Sequence, residues 1–301
     1  MKIIFFGTPD IALKSIQTLY YEDVEILAVV TQPDKAVGRK QILSPPPVKE
    51  LAEKLRIKVL QPKNSKELYD QIKDYKADFF IVFAYGMIMP KKILQLPKYG
   101  AINIHTSLLP KYRGASPIQQ AILNGDNESG ISIMKMDEEM DHGDIYIVKR
   151  IPIEEKDTGE SLSIKLSELS GRILTQTLVD IKENFLTPIP QPHNKASYCK
   201  KISKEDAKIS FKKTAKEINN MIKAYTPWPG TYFEHKEKKI KILEADIDEN
   251  KKMLEETFKI EDNKLLIGTF KGVLIPKTVQ LEGKTPTNIK NFLNGYAKLF
   301  E

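Results

Sequence analysis

Over its first 185 residues the chain alternates apolar runs of strand length with stretches whose apolar residues recur at helical spacing, and this pattern restricts the folds open to it. Strands separated by helices need right-handed crossovers, which produce an open, mostly parallel sheet. Lys2–Phe6 is the first such run and ends at Gly7. Thr8 is placed to cap the helix that follows, with Pro9 in its first turn, where a missing N–H costs nothing. Val24–Val30, Ile57–Leu60, Phe79–Ala84 and Ala101–Ile104 read as further strands, and Ile131–Met136 and Ile145–Ile153 extend the sheet. Val48, Leu51, Ala52 and Leu55 form one face of a helix. Leu162, Leu166, Leu169, Ile173, Leu174 and Ile181 form the stripe of a longer one.

The character changes at Thr187–Pro192, where three prolines cannot continue a helix and make an extended linker. Beyond it, Thr214 and Glu217 have capping-box spacing ahead of Ile218 and Ile222. Short β-rich runs follow at Thr231–His235, Lys239–Leu243, Leu265–Phe270 and Val273–Val279, with a short helix near Pro286–Leu293. The expected fold class is α/β: a Rossmann-like, mostly parallel sheet, followed by a smaller OB-like β-barrel. The expected division is 1–186 for the first domain, 187–204 for the linker and 205–301 for the second domain.

Charge follows this division. Residues 195–301 carry 22 Lys and no Arg against 15 acidic residues, an excess of seven, whereas residues 1–194 carry 25 of each sign. A basic appendage on a neutral domain suits a polyanion, and solvated lysine faces would produce the same count. The single cysteine, Cys199, excludes a disulfide framework within the chain and fits a reducing cytoplasm. The opening MKIIFFGTPD is too short in apolar residues for a secretory signal, and no run reaches membrane-spanning length. A cytoplasmic protein with no membrane association is the expectation.

The densest chemistry lies between Asn103 and Gln119. Asn103 and His105 are two apart at the end of an expected strand, so both side chains share one face. In an open α/β sheet, ligands bind beyond the carboxyl ends of the strands. An amide and an imidazole there can donate to one developing oxyanion, or can simply tie down a loop. Asp141 lies in a loop with five acidic residues in eight positions. Such a carboxylate can orient an imidazole and take a proton, the cluster can bind calcium or magnesium, or the loop can be merely solvated. A triad of Ser107, His105 and Asp141 is conceivable, although no G-x-S-x-G elbow accompanies it. The turn Gly7–Asp10 lacks the glycines of a dinucleotide site.

The run from Asn103 through His105, Ser107, Leu108, Leu109 and Pro110 to Gly114 resembles the signature of folate-dependent formyltransferases. In that superfamily an Asn, a His and a later Asp form the catalytic trio, which the resemblance carries onto Asn103, His105 and Asp141. The segments Phe6–Asp10, Thr31–Asp34, Gly38–Arg39, Ser44–Pro45, Pro47–Lys49, Ala84–Gly86, Tyr112–Gln119, Ile202–Ala207 and Pro227–Pro229 look like the branch that formylates methionyl initiator tRNA. The chain departs from the family pattern at Thr106, where a smaller residue is common, and at Glu139 and His142, where Gly and Thr are more frequent.

The resemblance implies 10-formyltetrahydrofolate as donor and charged initiator tRNA as acceptor, with no metal and no obligate protein partner. It implies a folate site against Ala84, Tyr85, Gly86, Met87 and Ile88 on one side and Ser107, Leu108, Leu109 and Pro110 on the other. It also makes Asp34–Pro47 a tRNA-facing loop carrying Lys35, Arg39 and Lys40, with Gly38 as a joint. Lys212 and Lys213 of the second domain would contact tRNA phosphates.

Overall fold

A computed structural model describes residues 1–37 and 42–301, which form two compact units. The first comprises Met1–Gly114, Ser129–Ile151 and Ser163–Tyr198; the second comprises Ala115–Glu128, Pro152–Leu162 and Cys199–Glu301.

The sheet of the first unit has seven strands in the order Ile145–Pro152, Glu128–Lys135, Ala101–His105, Phe79–Phe83, Lys2–Gly7, Glu25–Val30 and Val59–Leu60. The pairings among the last five are parallel, while Ala101–His105 pairs antiparallel with Glu128–Lys135. Helices cover both faces of such a sheet, so its central strands must be apolar on both sides. Ile3, Ile4, Phe5 and Phe6 are accordingly all fully buried. The order grows outward from Lys2–Gly7 in one direction and then restarts on its other side at Phe79–Phe83. That reversal opens a crevice beyond the carboxyl ends of the strands, the usual ligand position in open α/β sheets.

Thr8 does not cap a helix. The chain first forms a 3-10 turn at Asp10–Ala12, whose preceding residue is Pro9, and the α-helix begins at Leu13. The Thr8 hydroxyl instead donates to the Tyr85 carbonyl across the crevice at 3.1 Å. The apolar run Ile57–Leu60 contributes only Val59–Leu60 as an edge strand. Two helices lacked a clear periodic signal: Ser65–Ile72, capped by Asn64, and Pro117–Leu123. Gly159–Lys182 is the long helix expected from the leucine stripe, and its Ser170 hydroxyl meets that of Ser15 at 2.7 Å.

The proline-bearing segment after this helix is extended and joins the first unit, with Ile189 and Ile145 exchanging two backbone hydrogen bonds of 2.8 Å. In the second unit, Thr214 and Glu217 form the expected capping box at the start of Ala215–Ala224. This helix packs on a curled antiparallel half-barrel, with strands ordered Tyr232–His235, Lys238–Asp248, Val273–Leu281, Lys264–Gly268 and Phe258–Glu261. Thr287–Asn288 pairs beside Val273–Leu281, and Ile289–Tyr296 supplies the closing helix. Phe211 meets Phe233 edge-on, Phe233 stacks on the partly buried Phe258, and Phe258 is tilted against Phe300. Among the described residues, no helix is long and apolar enough to cross a membrane.

Candidate active site

Asn103 and His105 project from the last strand before the sheet turns antiparallel, and period two puts them on the same face. The loop between Lys135 and Ile145 brings Asp141 to them. Asp141 Oδ1 lies 3.3 Å from Asn103 Nδ2 and 3.5 Å from His105 Nδ1, and its Oδ2 accepts a 2.8 Å hydrogen bond from the Gly114 amide. All three residues expected from the sequence therefore meet within one small volume. His105 is buried, and Asp141 keeps a partly open face.

The imidazole is held by its other nitrogen. His105 Nε2 lies 2.9 Å from the Tyr112 carbonyl. A carbonyl only accepts, so Nε2 carries a proton and donates it. Nδ1, the nitrogen facing Asp141, is then a lone pair in the neutral ring and an N–H in the cation. Tyr112 and Asp141 both occupy left-handed backbone, at φ 58° and 51°. Such conformations are uncommon outside glycine, and at Asp the short polar side chain eases them. Spacing alone carries no sign of the Tyr112 carbonyl or the Gly114 amide, because backbone groups leave no trace in residue type.

A Ser-His-Asp triad is not formed. The Ser107 hydroxyl donates to the Lys111 carbonyl at 2.6 Å, and the nitrogen of His105 that a serine would need is occupied by Tyr112. Ser107 serves the loop instead: Ser132 Oγ donates to its carbonyl at 2.8 Å and accepts from the Leu109 amide at 3.0 Å. These bonds fix Ser107–Pro110 over the end of the sheet.

The second wall is the turn after Phe79–Phe83. Ala84 and Gly86 have φ of 52° and 81°, which turns the backbone outward. Ala84, Gly86 and Ile88 are exposed, and Met87 is partly buried. The Tyr85 side chain points the other way, into the core edge-on to Phe6, where burial pushes its phenol up from the ordinary tyrosine range. Tyr85 as a whole is buried, and its carbonyl already accepts from Thr8. The exposed Ala84, Gly86 and Ile88 leave a main-chain edge at the end of Phe79–Phe83 open to solvent.

Two residues not expected from the sequence support the Asp141 loop. Arg113 is buried, with Nη2 2.7 Å from Gln191 Oε1 and 2.8 Å from His193 Nδ1. Gln191 Nε2 in turn donates to the carbonyls of Asp141 and Gly143 at 2.9 and 2.7 Å. His142 accepts the role its unusual position left open: it bonds Asp137 at 2.7 Å and stacks on His193 with 4.0 Å between centroids. A lone arginine next to glycine inside the signature run was the available signal for Arg113. Gln191 gave none, since it sits among prolines.

Of the residues expected to face tRNA, Gly38, Arg39 and Lys40 lie outside the described residues. Lys35 is exposed on the strand Lys35–Val37, which pairs with Ile42–Ser44. The base of this arm is fixed by Asp34, which accepts from Lys49 at 2.8 Å and from Gln61 at 2.7 Å. The Lys49 hydrogen bond, followed by that of Gln61, holds the Asp34 carboxyl below the usual carboxylate range. A lowered folded value means that the contribution is complete above the unfolded value of about 3.9 and disappears as pH falls through the folded one. Replacement of Asp34 by Ala is expected to speed tryptic cleavage between residues 35 and 49 at neutral pH. It should lower Tm by no more than about 4 °C, as suits one partly exposed ion pair. Unchanged cleavage would show that Asp34 does not hold the arm. Lys212 and Lys213 are exposed in the second unit, at the turn before Ala215–Ala224.

The family model described as Formyl transferase matches residues 1–178, and that described as Formyl transferase, C-terminal domain, matches residues 201–297. The chain belongs to this family of formyl-transferring enzymes. Within it, the chain is 44% identical to the methionyl-tRNA formyltransferase of Caldicellulosiruptor saccharolyticus, covering 98% of this chain and 97% of that one. It is 41% identical to the methionyl-tRNA formyltransferase of Sulfurihydrogenibium sp., over 98% and 97% of the two chains. In fold it is similar to WlaRD, a sugar 3N-formyl transferase solved in the presence of dTDP and 5-N-formyl-THF, with a TM-score of 0.71 and 24% identity over 95% of this chain and 99% of that one.

Proposed function

We propose that the chain moves a formyl group from 10-formyltetrahydrofolate to the α-amine of methionine esterified to initiator tRNA. The observation that carries the chemistry is the convergence of Asn103, His105 and Asp141 on one point, with Asp141 held at 3.3 and 3.5 Å from the other two. The close relatives supply the acceptor class through their names.

The amine attacks the formyl carbon directly: a C–N bond forms to give a tetrahedral intermediate, and its collapse breaks the bond to the folate nitrogen. Charge develops on the formyl oxygen. Asn103 has a second N–H beyond the one facing Asp141 and can donate it to that oxygen, while a protonated His105, its Nδ1–H turned to Asp141, sets a positive charge beside it. Asp141 pairs with His105 and helps remove the proton that the amine sheds, directly or through water. The proton must end on the departing folate nitrogen. The long separations around Oδ1 fit a site that tightens when both substrates are bound. The folate rests against the backbone of Ala84–Ile88 and the Ser107–Pro110 loop.

The arm Asp34–Pro47 serves the acceptor. Arginine suits phosphate and base contacts, and the lysines of the second unit, Lys212 and Lys213 among them, add phosphate contacts. The test is Arg39→Ala, assayed in parallel for formylation of charged tRNA and for hydrolysis of the donor. Formylation should fall at least about tenfold in kcat/KM, the scale of one lost charged contact, with donor hydrolysis unchanged. Equal loss of both activities would assign Arg39 to the folate site or the fold.

A further inference from the structure

Gln191 stands in a segment that reads as a linker, yet its side chain is only 3% exposed. Its amide spends all four of its hydrogen-bonding positions. Nε2 donates to the Asp141 carbonyl at 2.9 Å and the Gly143 carbonyl at 2.7 Å, while Oε1 accepts from Arg113 Nη2 at 2.7 Å and Nε at 3.2 Å. These partners fix the orientation of the amide, because the reversed amide would set oxygen against two carbonyls and NH2 against a guanidinium.

Arg113 is anchored independently of the amide. Its own N–H donates to the Ser197 carbonyl at 2.8 Å, and its Nη2 donates to His193 Nδ1. The next residue, Gly114, holds Asp141 Oδ2. The Arg113–Gly114 pair thus grips Asp141 at two places: the carboxylate directly and the main chain through Gln191. The grip matters because Asp141 has φ of 51°, an uncommon backbone conformation that the surroundings must maintain. The segment itself does not depend on the amide for its position, since Ile189 and Ile145 already exchange two backbone bonds.

We propose that Gln191 is a positioning residue for formyl transfer: it fixes the Asp141 main chain so that Oδ1 meets Asn103 and His105. The proposal rests on the reading of Asp141 as the proton acceptor. Gln191 touches neither substrate, so its loss should appear in the chemical step and not in binding. A displacement of about 1 Å at a reacting group can cost on the order of 10²-fold in rate.

The experiment measures formylation by the full chain carrying Gln191→Met, which keeps the size of the side chain and removes its hydrogen bonds. Gln191→Glu is the second variant. It keeps an acceptor for Arg113 and loses both donors to the carbonyls, so the Arg113 contact survives if Met proves too disruptive. Each is combined with Asp141→Asn. The expected result is a kcat reduced about 10- to 100-fold with KM for donor and tRNA unchanged, and an effect of less than about twofold in the Asp141→Asn background, as residues acting through one another require. An equal loss with and without the Asp141 carboxylate, or a raised KM at unchanged kcat, would overturn the positioning role. An inactive Asp141→Asn beside a fully active Gln191→Met and Gln191→Glu would overturn it while leaving the site reading intact. A fully active Asp141→Asn would remove both.

Discussion

Replacing Asp141 by Ala is expected to lower kcat by about 10²–10⁴-fold, the range of a lost general acid or base, with the protein still folded. Among the described residues the carboxylate has three polar partners: Asn103, His105 and the Gly114 amide. Its removal leaves the proton of the attacking amine without an acceptor and the His105 cation without its counter-charge. His105→Ala should cost at least about 10²–10³-fold, as for a lost oxyanion donor. Asp141 lies in a loop and His105 at the last paired position of its strand, so the sheet keeps its pairing in either variant, while His105→Ala removes a buried donor from the Tyr112 carbonyl and lowers Tm by a few degrees. Circular dichroism and Tm check the fold, and single-turnover formylation checks the chemistry. Near-normal turnover by a folded His105→Ala protein would contradict the assigned mechanism.

The second large effect is expected at Gly143. A Cβ added there would stand 1.9 Å from the Lys135 carbonyl oxygen, and that oxygen belongs to a sheet strand. Backbone cannot rotate aside as a flexible side chain can, so either the strand or the loop must shift. The loop yields more readily, and it carries Asp141 two residues away, with the Gly143 carbonyl also taken by Gln191. Gly143→Ala should therefore reduce turnover by about 10²-fold through misplacement of Asp141. Overpacking of this kind costs about 1–3 kcal/mol, which in a chain of this size lowers Tm by several degrees. A variant with unchanged Tm and turnover would mean that the loop accommodates a methyl group here and that its path does not determine the geometry of Asp141.

Much of the fold was legible because the parallel strands, buried on both faces, must be apolar throughout. Phe79–Phe83 and Ala101–His105 stand out for that reason, and the capping box at Thr214 marks a helix start by chemistry alone. Shorter elements escaped. Pro117–Leu123 has seven residues, too few for two helical periods, and Phe258–Glu261 mixes charge into an edge strand. Thr8 has the side chain of a helix cap, but a tertiary hydrogen bond to Tyr85 claims its hydroxyl.

The site divides in the same way. Period two predicts that Asn103 and His105 share a face. Nothing in spacing predicts that Asp141 joins them across a hairpin; that expectation came from resemblance to the family. The supporting groups were invisible for physical reasons. The Tyr112 carbonyl and Gly114 amide are backbone atoms. Gln191 belongs to an extended segment whose prolines suggest a spacer, and only the fold reveals that its amide is buried between Arg113 and the Asp141 loop.

The most direct measurement supplies the full chain with 10-formyltetrahydrofolate and methionyl initiator tRNA, then hydrolyses the ester and quantifies formyl-methionine. The predicted result is formyl-methionine as the main product of the consumed donor, formed at least about 10²-fold more slowly when His105→Ala replaces the wild type, with no formyl transfer when a nucleotide-linked amino sugar replaces the charged tRNA. Donor consumed to formate with no formyl-methionine, or formylation of the amino sugar in preference to the charged tRNA, would contradict the account.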